Sequence, residues 1–166
     1  LRTAGLATFL LDLLRPEEEA DRANVFDIGL LASRLATATR WIREQPETSG
    51  LAIGYFGAST GAAAALTAAA EPDADIAAVV SRGGRPDLAI DLLPRVKVPT
   101  LLLVGSLDGP VIDMNERALA ALTGEKHLHI VAGASHLFEE PGTLDEVVQH
   151  AREWFLRHLG AAGRSS

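Results

Sequence analysis

Residues 51–64, L-A-I-G-Y-F-G-A-S-T-G-A-A-A, constrain the fold more than any other stretch of this chain. An apolar run passes through Gly57, Ala58, Ser59, Thr60 and Gly61 into a block of alanines. The pattern predicts a buried strand, a tight turn and a helix. In that context G-x-S-x-G describes a nucleophile elbow, a serine held on a sharp strand-to-helix turn with its hydroxyl presented to solvent. Such a turn forces the serine into strained backbone geometry. It also asks for small residues two before and two after it, where strand and helix nearly touch. Gly57 and Gly61 stand at those positions. The competing reading is a glycine-rich turn with an incidental serine; the flanking strand and helix favour the nucleophile.

With 166 residues, 48% of them hydrophobic, the chain has enough apolar material for one domain with a substantial core. A formal charge of −7 and a pI of about 5.2 argue against a nucleic-acid or anionic-membrane partner. The absence of cysteine excludes disulfides, a thiolate nucleophile and cysteine-based zinc sites, and accords with a cytoplasmic protein. No apolar run is long enough to span a bilayer. The one methionine is Met114, so Leu1 is not an ordinary translation start. Residues 1–14 have no small-residue cleavage site after them and run directly into Pro16-Glu17-Glu18-Glu19, which is not the form of a signal peptide. The expectation is a single domain over 1–166 that forms the C-terminal part of a larger unit.

Taken in order, residues 1–5 read as the tail of a helix capped by Gly5. Residues 6–14, L-A-T-F-L-L-D-L-L, read as a strand covered on both faces. The acidic triplet that follows reads as a solvated face or a first helical turn. Ile28, Leu31, Leu35, Ala38 and Ile42 recur at helical spacing, which predicts a helix over 26–44 with Asp27 as its cap. After the elbow and its alanine-rich helix come a strand over 76–80 and a turn-rich segment from Ser81 to Asp87. A strand over 99–105 is followed by a helix over 111–122. A strand over 127–131 then leads to Gly133-Ala134-Ser135-His136. A last amphipathic helix over 143–159 carries Thr143 and Glu146 in capping-box spacing, and residues 160–166 read as a frayed tail. Alternating strands and helices imply a mostly parallel sheet with helices on both faces, whose ligands bind beyond the carboxyl ends of the strands.

A serine hydroxyl needs a base to take its proton, and the base needs an orienting acceptor. Of the five histidines, His136 alone lies in a post-strand loop, flanked by small residues. His150 and His158 fall on the last helix. His127 and His129 share one face of a strand; their H-x-H spacing suits a metal, but nothing nearby supplies further ligands, and no metal or organic cofactor is assigned. Among the acids Asp108 follows a strand and is the chosen orienter, with Asp113 as fallback; Glu139 and Glu140 lie too close to His136 to reach its ring. The order Ser59, Asp108, His136 follows. Arg82 and Arg85, at the same edge, are candidates for holding a substrate carboxylate or phosphate; the alternative is surface arginines, with Asp87 as partner.

At these residues the chain resembles the α/β-hydrolase superfamily, and within it the dienelactone-hydrolase-like group, some of whose members are fused to or neighbour phosphoribosyltransferase domains. The resemblance rests on G-Y-F-G-A-S-T-G-A around Ser59, S-R-G-G-R-P-D-L-A from Ser81, L-L-V-G-S-L-D around Asp108 and G-A-S-H-L-F-E-E-P-G around His136. It implies a serine hydrolase that cleaves a small-molecule carboxylic ester, thioester or lactone without a cofactor. Dienelactone hydrolases proper carry a cysteine nucleophile where this chain has Ser59. The group also has earlier strands and an N-terminal loop that supplies half of the oxyanion hole, and neither appears here. The remaining donor is the backbone N–H of Thr60, at the start of the elbow helix. One such donor is worth roughly 2.7–4 kcal/mol in the transition state. More sequence before Leu1, a homo-oligomer, or a fused or neighbouring domain is therefore expected to cover residues 6–14. The alternative function is a non-catalytic hydrolase-fold module that binds or regulates another domain such as a phosphoribosyltransferase. Acyl transfer or perhydrolysis on the same triad differs only in the acceptor.

Overall fold

The computed structural model describes residues 1–160. A 3-10 turn over Arg2–Ala4 ends on Gly5 in the left-handed region, in the manner expected of a capping glycine. Three helices follow: α1 (Pro16–Glu19), α2 (Arg22–Val25) and α3 (Ile28–Glu44). Next come β1 (Gly54–Ala58), α4 (Thr60–Ala69), β2 (Ala78–Arg82) and a 3-10 segment over Pro86–Arg95. The chain closes with β3 (Thr100–Gly105), α5 (Gly109–Ala121), β4 (Lys126–Val131) and α6 (Thr143–Leu159). The tail read over 160–166 lies outside the described residues after Gly160.

The sheet has four strands in the order β1-β2-β3-β4, every pair parallel. The inner strands are the most apolar, as strands covered on both sides must be; all six residues of β3 are buried. Side chains alternate between faces. Val79 and Leu102 join a core with α3, α4, α5 and the 3-10 segment. Ala78, Val80, Leu101 and Leu103 join a second core with α6. Between them the cores make a three-layer α/β domain. The alanines of α4 are buried almost completely, and their small side chains let the helix lie close to α3 and the sheet. Tyr55 on β1 is tied to Thr39 on α3 by a buried 2.8 Å hydroxyl hydrogen bond.

Several boundaries match the expectations. Asp27 caps α3 by accepting the Leu30 N–H at 2.9 Å. The acidic triplet is the first turn of α1, where Glu18 accepts the Arg15 N–H and a two-pronged bond from Arg34. Arg34 holds the Glu18 carboxyl down at about 2, assisted by the Arg15 N–H.

Two expectations fail. Residues 6–14 form no strand and are not covered on both faces: Leu10 is 94% exposed and Phe9 54%. A strand needs a neighbour for its N–H and C=O groups, and none of the four strands pairs with this segment. It runs beside α3 instead, with Phe9 against Trp41 and the Leu13 carbonyl held by Arg34. The capping box of α6 is also absent. Gly142, at φ 83°, is the N-cap, which makes Thr143 the first helical residue. Thr143 Oγ1 donates to the Glu140 carbonyl, and the Glu146 carboxylate is drawn away to His129.

Candidate active site

Ser59 joins β1 to α4 with φ 51° and ψ −125°, one of three non-glycine residues at positive φ among the described residues. Strain of this kind costs on the order of 1–3 kcal/mol and persists only where the surroundings enforce it. The enforcement comes from Gly57. A Cβ there would lie 2.5 Å from the Gly61 carbonyl oxygen and 2.7 Å from the Ala62 Cα. Gly61 is different: a Cβ at that position meets nothing within 4 Å, so the size limit expected on both sides of the serine falls on Gly57 alone. Thr60, as the first residue of α4, has an N–H with no carbonyl one turn behind it, at the positive end of the helix dipole.

The turn after β2 lies against the elbow. The Arg85 N–H donates to the Ser59 carbonyl at 3.1 Å. A Cβ on Gly84 would meet the Ala62 methyl at 2.7 Å and collide with Ser81 Oγ. The Gly84 carbonyl is held from behind by Asn115, a fully buried residue of α5, at 3.2 Å. Gly83, at φ 49°, faces the other loop: its Cβ would stand 3.3 Å from the His136 carbonyl oxygen and 3.6 Å from the imidazole Cε1. These glycines bridge the serine and histidine loops at close range.

Asp108 and His136 meet directly. His136 Nδ1 lies 2.6 Å from Asp108 Oδ2, with the carboxylate 14% exposed and the imidazole 43%. A neutral ring that donates from Nδ1 to this inner carboxylate keeps an acceptor lone pair on Nε2, the form a general base requires. Their loops are joined by backbone bonds: Ser106 N–H to the Val131 carbonyl at 2.9 Å and Leu107 N–H to the Ala134 carbonyl at 3.0 Å. Ser106 Oγ also accepts the Gly133 N–H at 2.8 Å. A side chain on Gly105 would strike the Ala134 and Ser135 carbonyl oxygens, so β3 ends flush against the histidine loop. Asp113 is exposed on α5 and bonds to no imidazole. Ser59 Oγ makes no hydrogen bond to His136 among the described residues; the imidazole's hydrogen-bond partner there is Asp108.

The arginines are placed differently from a free anion clamp. Arg85 is held by Asp87 through two hydrogen bonds of 2.9 and 2.8 Å, the pairing anticipated as the alternative. Arg82 is the last residue of β2 rather than part of the loop, and its guanidinium lies over the Phe138 ring at 5.5 Å. Phe138 is buried and at positive φ, so this contact pins the turn that carries His136. Two positioning residues escaped the sequence reading. Glu140 accepts the Ser135 N–H at 3.0 Å, and Ser135's backbone and side chain hold its carboxyl below the usual range. Asn115 is the other. An acidic residue a few positions past a loop glycine is a weak signal for such a cap, and a helix-interior asparagine among apolar neighbours is a stronger one.

This is the α/β-hydrolase fold, with the serine on the elbow and the acid and histidine following strands in chain order. The chain belongs to the dienelactone hydrolase family, whose model matches residues 15–159. It is 60% identical to the dienelactone hydrolase of Anabaena variabilis, a solved structure superposing with a TM-score of 0.90 over 95% of this chain and 75% of that one. It is also 59% identical, over 99% of its length, to a Mycobacterium tuberculosis (strain H37Rv) protein provisionally named a phosphoribosyl transferase. The chain spans 37% of that relative's length. An esterase domain from Rhodothermus marinus, 20% identical with a TM-score of 0.65 over 78% of this chain and 70% of that one, shares the fold. No helix among the described residues is long and apolar enough to cross a membrane.

Proposed function

We propose that this chain carries the catalytic part of a serine hydrolase acting on a carboxylic ester, thioester or lactone. Family membership supports a hydrolase. The observation that carries the finer reading is the 2.6 Å contact between Asp108 and His136 at the sheet edge where Ser59 sits on its strained turn. In this mechanism Ser59 Oγ attacks the carbonyl carbon while His136 Nε2 takes the hydroxyl proton. Asp108 fixes the ring's tautomer and stabilises the imidazolium. The Thr60 N–H donates to the oxyanion of the tetrahedral intermediate. His136 then protonates the departing oxygen or sulfur, leaving an acyl group on Ser59. Water, deprotonated by the same imidazole, releases the acid. Arg85 serves the scaffold through Asp87, and Arg82 holds the His136 turn.

The test is a burst of p-nitrophenol from a p-nitrophenyl acyl ester. It is expected from the native chain and absent in Ser59→Ala; equal activity in the two would refute the assignment.

A second reading, a non-catalytic module serving a phosphoribosyl transferase, is favoured by the name and greater length of the Mycobacterium tuberculosis relative. Covalent labelling by a fluorophosphonate probe separates the two. An activated Ser59 is labelled and a silent one is not.

A further inference from the structure

We infer that His129, Glu146 and His150 form a binding site for a divalent first-row transition metal ion of the Zn²⁺ type. The site lies where the edge strand β4 meets α6, and none of its residues belongs to the proposed catalytic set. His129 pairs with Leu103 in the sheet register, so its ring projects to the face that α6 covers. Glu146 and His150 are four apart on α6 and therefore share one helical face. His129 Nε2 lies 2.7 Å from Glu146 Oε1, and the His129 and His150 rings stand 3.8 Å apart between centroids. One ligand atom from each residue lies within 4.8 Å of the other two. Zinc bonds of about 2.0–2.2 Å place tetrahedral donors roughly 3.3–3.6 Å from one another. Closure therefore needs side-chain rotations of about an ångström, not backbone movement.

The chemistry of the donors points the same way. Two imidazoles and one carboxylate are a set that binds zinc with a coordination position left over. Imidazole nitrogen also suits Ni²⁺ and Cu²⁺, and disfavours Mg²⁺ and Ca²⁺. A single cation answers all three donors. All three side chains are half-buried, so the loss of hydration is modest. The donors also stand on a strand and a helix, where positions are better fixed than on loops. The H-x-H spacing in the sequence pointed at His127, but that residue is exposed and not part of the cluster. The partners come from α6 instead.

Bound metal would cross-link β4 to α6, so it must stabilise the folded chain. The full chain, stripped with chelator and without an affinity tag, is titrated calorimetrically with ZnCl₂, and Co²⁺ absorption reports the coordination geometry. The expected result is one Zn²⁺ per chain, a tetrahedral Co²⁺ spectrum and a rise in Tm on adding Zn²⁺. His129→Ala, His150→Ala and Glu146→Gln each weaken binding by at least about tenfold. His127→Ala leaves it unchanged. Metal-free melting curves of the variants verify that they fold, and Glu146→Gln is the most conservative of them. The proposal is overturned by no stoichiometric binding, by binding that survives both His129→Ala and His150→Ala, or by binding lost in His127→Ala.

Discussion

His136 Nδ1 and Asp108 Oδ2 lie 2.6 Å apart although 28 positions separate them in the chain. The contact is built by the parallel pairing of β3 and β4, whose carboxyl ends deliver the two loops side by side. Backbone bonds between the loops hold it against thermal drift. Asp108→Asn keeps the shape but offers Nδ1 a different partner, so the ring adopts the wrong tautomer. Turnover of an activated ester is expected to fall about 10⁴-fold with little change in Tm. Retention of native kcat in that variant would remove Asp108 from the mechanism.

The two glycines of the elbow should respond in opposite senses. Gly57→Ala places a methyl against the backbone of Gly61 and Ala62, which cannot give way as a flexible side chain would. A loss of about 1–3 kcal/mol in urea unfolding is expected, with reduced fluorophosphonate labelling. Gly61→Ala meets open space and removes a glycine from a helix. It should be neutral or stabilise by up to about 1 kcal/mol. Equal destabilisation by both would show that the elbow is tighter than this packing allows.

Asn115 links α5 to the turn behind Ser59. Asn115→Ala leaves the buried Gly84 carbonyl without its donor and opens a small cavity. The expected cost is about 1–3 kcal/mol of stability. Because Arg85, the next residue, bonds to the Ser59 carbonyl, labelling should slow as well. A variant that melts lower but labels at the native rate would confine Asn115 to packing.

The Glu18–Arg34 pair gives a pH signature. The Glu18 carboxyl is lowered from 4.5 to about 2 by the Arg34 guanidinium first and the Arg15 N–H second. A group whose folded pKa is depressed contributes stability above its unfolded pKa and loses it as pH falls through the folded value. The Tm difference between the native chain and Glu18→Gln should therefore be constant above pH 4.5, shrink as pH falls below it, and vanish near pH 2. Melting curves across that window decide it; a difference independent of pH would mean the pair adds nothing electrostatic.

Much of this was legible in the residues. The run from Leu51 through Ser59 into alanines predicts strand, elbow and helix, and β1 and α4 lie there. Asp27, read as a cap, caps α3 through a side-chain bond that spans three positions. The placement of Asp108 and His136 after strands followed from alternating elements. What escaped was set by partners distant in sequence. Residues 6–14 have the composition of a buried strand, yet composition carries no information about whether a neighbour is present to pair with. Thr143 and Glu146 have capping-box spacing, but Gly142 takes the N-cap position, and the Glu146 carboxylate bonds a histidine on β4 instead.

The same division separates the two kinds of knowledge about this chain. Periodicity, turn chemistry and the order of Ser59, Asp108 and His136 were determined by the sequence alone, because each is a property of residues within a few positions or of their order. The tertiary structure decided the rest: that Gly57 and not Gly61 is hemmed in, that Asn115 and Glu140 support the loops beside Ser59 and His136, and that His129 finds its partners on α6. Those outcomes depend on which surfaces the parallel sheet brings within a few ångströms, and that proximity exists only after the chain has packed.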